Sequence, residues 1–166
     1  MYYKISDFIS DWTYESESTI KVFLNLTNES LTKKIHEKVR TAGRLAWHIT
    51  ASIPEMMNRT GFKIEEVKED STVSSNVSEL VKVYKNISET LANQIKANWN
   101  DETFLKEDNM YGETWARGKT LSILLIHQVH HRAQLTIVMR MLGLKVPGVY
   151  GPSNEEWAGM GMPAQE

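Results

Sequence analysis

The sequence predicts an all-α protein built as a four-helix bundle. Three observations predict it. Four stretches carry apolar side chains at steps of three and four, the signature of a helix with one buried face. Two of the connections between them are long, which permits crossovers rather than tight antiparallel hairpins. The 166 residues fit a single domain spanning 1–166. A chain of this length buries roughly two-thirds of its unfolded surface and folds without staples.

The first helix is expected over about residues 6–27. Ile5, Phe8, Ile9, Trp12, Ser16, Thr19, Ile20, Phe23 and Leu24 share its face, Ser6 or Asp7 can cap its start, and Asn28, Glu29 and Ser30 end it. The second is expected over about 41–58, with Leu45, His48, Ile49, Ser52, Ile53, Met56 and Met57 on one side. Pro54 lacks a backbone donor and its ring crowds the carbonyl of Thr50, so a kink or a break is expected there; Gly61 closes the element. The third is expected over about 75–97. Val77, Leu80, Val81, Tyr84, Ile87, Leu91 and Ile95 line it, and Asn76 with Glu79 has capping-box spacing. The fourth is expected over about 119–142, with a stripe of Leu121, Leu124, His127, His131, Leu135, Val138 and Leu142 and a terminating Gly143.

The connection 62–74 is polar. The connection 98–118 carries Trp99, Phe104, Tyr111 and Trp115, which suggests that it packs on the bundle. The tail 147–166, rich in proline and glycine, reads as irregular apart from a short helical turn at Ser153–Trp157, where Ser153 and Glu156 can cap each other.

Composition narrows the function. There is no cysteine, which excludes disulfides, thiolate metal sites and a cysteine nucleophile, and fits a reducing compartment. The net charge of -2 gives no footprint for a nucleic-acid backbone. Lys33, Lys34, Lys38 and Arg40 form a modest basic patch that reads as a solvated connection. The start MYYKISDFISDW has no basic segment followed by an apolar one, so no signal peptide is expected. The apolar run Leu121–Ile126 is far too short to span a bilayer. The expected setting is cytoplasmic, with no membrane or nucleic-acid partner.

The histidines carry the chemistry. His127 and His131 stand one turn apart on one helix face, where their nitrogens can converge on a single ion. His48 replaces an apolar residue in the stripe of another helix. A metal is the simplest way to satisfy three inward imidazoles. His130, three residues from His127, is the competing ligand; Leu135 and Val138 continue the side of His131 and favour it. His36 lies in a charged connection and reads as exposed. Three histidines with an open fourth position form a catalytic pattern, and they suit zinc, nickel, iron or copper.

Several neighbours could assist. Gln134 is seven residues from His127 and can hydrogen bond a ligand or substrate. Arg132 reads as a surface or interhelix ion-pair partner. Glu15 and Glu17 read as solvent-facing, with contact to imidazole N–H groups as their functional option. Tyr111 and Trp115 read as core, or as a roof over the site.

The string His127-Gln-Val-His-His-Arg-Ala-Gln-Leu135, the upstream segment Leu-Ala-Trp-His48-Ile and the ending Pro147-Gly-Val-Tyr-Gly-Pro152 resemble the DinB/YfiT-like family of metalloenzymes, over nearly the whole chain. Relatives often carry glycine where Ala133 stands, and a methyl group there is harmless in a helix. The resemblance implies an up-down-down-up bundle, a metal held by His48, His127 and His131, nickel or zinc as the ion, and a homodimer. It also implies a reaction class, since some relatives transfer low-molecular-weight thiols such as bacillithiol to electrophiles. The leading expectation is therefore a metal-dependent thiol transferase whose partners are a small-molecule substrate and a thiol cosubstrate. The alternatives are a metal-dependent hydrolase and a non-catalytic metal-binding protein of the stress or DNA-damage response.

Overall fold

Three of the four long helices begin where a side chain answers a free backbone N–H of the first turn, and the Arg117 N–H that opens the fourth donates to the Lys106 carbonyl. The computed structural model describes residues 1–71 and 74–164, and four long helices dominate it: α1 (Ile5–Phe23), α2 (Ala42–Met57), α3 (Val77–Asn98) and α4 (Arg117–Met141). Thr41 caps α2 by accepting from the Arg44 N–H at 3.2 Å, and Asn76 caps α3 by accepting from Ser78 and Glu79. The expected capping box on α3 does not close. Glu79 instead accepts from the Ser74 hydroxyl, which itself accepts from the Asn76 N–H. Asn28 adds a long-range cap, accepting from the Val77 N–H at 2.9 Å.

The expected cap of α1 by Ser6 or Asp7 is not observed. The helix starts at Ile5, whose N–H donates to Asp101 from the far connection at 2.9 Å. α1 also stops at Phe23 rather than near residue 27, and Glu29–Leu31 form a short 3-10 turn. Pro54 lies within α2 without breaking it. The lost bond to Thr50 is one among many in a helix whose surroundings are packed. Gly61 ends the following 3-10 turn and Gly143 follows α4, both with positive φ.

The connection from α3 to α4 is more ordered than the sequence suggests. A 3-10 turn (Asp101–Leu105), boxed by Asn100 and Thr103, leads into a hairpin of β1 (Glu107–Met110) and β2 (Glu113–Ala116). Tyr111 and Gly112 both take positive φ, as a two-residue hairpin turn requires. Trp99 and Phe104 are buried, as the aromatic content of the connection suggests, whereas Tyr111 is 54% exposed. In the tail, Glu156 accepts from the Ser153 N–H, and a 3-10 turn follows at Trp157–Met160.

α1 packs on α3 and α4, and α2 packs on the same two helices, so α1 and α2 sit across a diagonal. Hydrogen bonds give the directions. The Tyr2 N–H reaches Gly118 and Arg132 reaches Glu15, so α1 and α4 run together. Trp12 reaches Ser88, while α1 starts beside Asp101, just past the end of α3, so these two helices run oppositely. One hydrophobic core joins all four, with Phe8, Trp12, Phe23, Ile49, Leu91, Leu121 and Leu135 at its centre. No helix among the described residues is long and apolar enough to cross a membrane.

Candidate metal centre

The buried stripe of α4 runs through Leu121, Leu124, Gln128, Arg132, Leu135 and Val138. His127 and His131 stand beside it, half-buried. The sequence placed both histidines on the core face itself; they occupy its edge, because Gln128 and Arg132 take the interior positions one residue on. Gln128 is fully buried. Its amide donates to the Ile49 carbonyl at 2.8 Å and the Ser52 hydroxyl at 3.1 Å, and its carbonyl accepts from Tyr84 at 3.3 Å. A buried amide with its valences met in this way fixes how α4 slides against α2.

That register brings His48 to the α4 histidines. Ring centroids lie 5.0 Å apart for His48 and His127, and 4.4 Å apart both for His48 and His131 and for His127 and His131. One nitrogen from each ring lies within 4.8 Å of the other two. His36 is exposed on the surface, where its Nδ1 accepts from the Lys38 N–H. His130 is exposed and outside the cluster. It accepts at 3.0 Å from the Gln134 amide, whose carbonyl accepts from His131 Nδ1 at 2.8 Å.

One bond and one ion-pair contact favour a proton position on each of two rings. Gln134 holds the His131 proton on Nδ1, leaving a lone pair on Nε2. Glu69 lies 3.0 Å from His48 Nδ1, an ion-pair distance though off the hydrogen-bond direction, and favours a proton on that nitrogen. The two Nε2 atoms then face each other, lone pair to lone pair, at 3.2 Å. With the protons so placed the contact is repulsive unless a further proton or a metal cation lies between the atoms. The separation is also close to the ligand–ligand edge, about 3.3 Å, of a tetrahedron with ~2.0–2.1 Å metal–nitrogen bonds. His127 Nδ1 is buried with no partner. Burial, reinforced by the neighbouring imidazoles, pushes the His127 pKa down to about 4. Burial also lowers that of His131. Neutral imidazoles are the form that binds metals, so the donor set fits a divalent cation.

The cluster faces an open cleft of about 870 Å³. His48 and His127 form one wall, and Glu55, Arg59, Glu69 and Tyr111 line the rest. Tyr111 donates to Glu55 at 2.5 Å. Arg59 holds the other oxygen of that carboxylate at 2.8 and 3.0 Å and lies 4.6 Å from the Tyr111 ring centre. Tyr111 therefore reaches the site at the hairpin tip, as its roofing option required. Trp115 does not line the cleft; its indole N–H donates to Glu113.

Glu15 is corrected, and Arg132 takes the interhelix option of its ion-pair reading. Both are nearly fully buried and pair with each other at 2.6 Å. Arg132 also donates to the Glu15 carbonyl and the Thr19 hydroxyl, and Tyr150 closes over the carboxylate. Glu17 is solvent-facing. Sequence reasoning missed Gln128 and Glu69. Gln128 carried a signal, since it lies on the line of Leu121, Leu124 and Leu135; Glu69 sits in a loop that no periodicity marks.

Comparison with known proteins agrees with this architecture. The chain is 35% identical to YrdA of Bacillus subtilis strain 168 over 164 residues, covering 99% of this chain and 98% of that protein. It superposes on a DinB-like protein of Bacillus cereus ATCC 10987 with a TM-score of 0.86 and 37% identity, over 90% of this chain and 100% of the other. YfiT of Bacillus subtilis, described as a probable metal-dependent hydrolase with an unusual four-helix bundle topology, shares the fold at 12% identity. Its TM-score is 0.65, over 84% of this chain and 87% of YfiT. The model of the DinB family matches residues 1–166, and the chain belongs to that family.

Proposed function

We propose that the protein is a divalent-metal-dependent enzyme, with His48, His127 and His131 as ligands, that joins a low-molecular-weight thiol to a small electrophile. The facing lone pairs of His48 and His131 at 3.2 Å carry the metal reading. A cation held by three neutral imidazoles keeps its full double charge, and in its open position it would acidify a bound thiol or water.

The chain's own residues support the rest. No carboxylate joins the three imidazoles among the described residues, so a fourth position is left to face the cleft. A cleft of about 870 Å³ is at the upper end of small-molecule sites and holds two reactants side by side. Gln134 fixes the His131 ring by its outer nitrogen, and the Glu69 carboxylate lies 3.0 Å from that of His48. Glu55 is already held by Arg59 and Tyr111, and Glu69 lies against His48, so neither carboxylate is free as a general base. A thiol starts far more acidic than water and would give its proton to solvent on binding a divalent cation, without such a base, whereas bound water would remain partly protonated at neutral pH, which favours thiol transfer over hydrolysis. The second reading, hydrolysis, is favoured by the YfiT description and would be assisted if Glu69 left His48 to take a proton from water.

The test has two parts. Untagged protein should carry about one divalent ion per chain by elemental analysis, and His127→Ala should carry almost none; an unchanged metal content would remove the site. Loaded protein is then given 1-chloro-2,4-dinitrobenzene with and without cysteine as the thiol. Conjugate formed faster than in protein-free controls supports transfer. Enzyme-dependent ester hydrolysis without thiol supports the rival.

A further inference from the structure

His131 borders two cavities. Its Nε2 meets His48, which lines the cleft described above. Its other side lines a groove of about 600 Å³ with Lys38, Arg40, Leu45, Gln134 and Ile137. The two spaces differ in charge. The first holds the carboxylates Glu55, Glu66 and Glu69 against Arg59 and Lys68. The groove has no carboxylate in its lining, and its only fixed charges are Lys38 and Arg40. Neither cation forms an ion pair among the described residues. The remaining walls are apolar, and Ile137 and Met141 are each more than 60% exposed along them.

Two unpaired cations at the rim of an apolar trough, one wall of which is a candidate metal ligand, make a complete recognition surface for an amphipathic anion. The basic connection read from sequence as merely solvated thus has a target. We propose that this groove binds the carboxylate-bearing part of one substrate, with its apolar segment against Leu45 and Ile137. Its reacting end lies toward His131, while the second reactant enters from the acidic cleft. This deepens the proposed function and rests on it for the word substrate. The anion site itself stands on the groove alone. The division follows from electrostatics: on one side of the imidazoles the carboxylates outnumber the cations three to two, and on the other side two cations stand with no carboxylate.

Octanoate and octanol test this, since they share an apolar segment and differ in charge. Amide NMR of the full chain, stripped of metal with EDTA, reports where each binds. The expected result is octanoate shifts at Arg40, Leu45, Gln134 and Ile137, binding about tenfold weaker for octanol, and a similar loss in the Lys38→Ala/Arg40→Ala double variant. The Lys38→Arg variant should retain binding. His127→Ala should also retain it while losing metal, which separates this proposal from the metal reading. Equal binding of octanoate and octanol, unchanged affinity in the double variant, or shifts confined to the acidic cleft would overturn it. So would shifts in this groove that follow protein concentration without ligand, because the face would then be a contact between copies.

Discussion

Replacing Arg132 with Met should cost more stability than any other single polar substitution in the molecule. The guanidinium and the Glu15 carboxylate are 3% and 4% exposed, and 2.6 Å separates them. Arg132 also answers the Glu15 carbonyl at 3.0 Å and the Thr19 hydroxyl at 3.2 Å. Met fills much the same volume, so the apolar part of the side chain is kept. The carboxylate that stays behind has only the Tyr150 hydroxyl. Removing one partner of a buried pair costs about 3–5 kcal/mol, chiefly because the other charge is left uncompensated. In a chain of this size that lowers Tm by roughly 6–20 °C. The assay is urea denaturation of Arg132→Met, Glu15→Leu and the double variant, followed by far-ultraviolet circular dichroism with m checked for constancy. The double variant should recover at least half of the loss, since two apolar groups no longer strand a charge. A loss below about 1 kcal/mol in Arg132→Met, the range of an exposed pair, would refute the reasoning.

Three further outcomes are expected. The metal-free protein should lose stability as pH falls from about 6.5 toward 4, because the unfolded chain takes up a proton that folded His127 refuses. Full stability lies above that window. The gap from 6.5 to about 4 corresponds to ~3 kcal/mol for a dry ring, and water at this half-buried one reduces it to ~1–2 kcal/mol. His127→Phe should flatten the slope, as denaturation midpoints across the window will report. Gln134→Ala should leave the fold intact and weaken metal affinity about tenfold or more, measured by competition with a chelating dye, because the His131 ring loses its outer partner. Gly118→Ala should destabilise by about 1–3 kcal/mol and raise hydrogen exchange in residues 1–4, since the new methyl would sit 2.0 Å from the Tyr2 carbonyl oxygen.

Much of the fold was legible because helices advertise themselves locally. The four apolar stripes, the Thr41 and Asn76 positions and the terminal Gly143 lie where the 3.6-residue period and the capping rules place them. The hairpin was not legible. Residues 107–110 read Glu-Asp-Asn-Met and have almost no strand-forming character; they pair because Arg117 anchors the hairpin base to Asp108 at 2.8 and 3.0 Å. The cap of α1 was missed for a related reason, since it comes from Asp101, distant in sequence.

What the sequence determined by itself is the helix content, the absence of any cysteine side chain of its own and the choice of His127 and His131 as a pair one turn apart, since all three follow from composition and local spacing. What only the tertiary structure decided is which side of α4 faces the core and which faces the cleft. A 100° step separates neighbouring residues on a helix, so a stripe read from sequence admits a rotation of about one residue. Burial of Gln128 against α2 and of Arg132 against Glu15 fixes that rotation. The same rotation leaves the imidazoles at the edge of the core, where they meet His48 and stay open to both cavities.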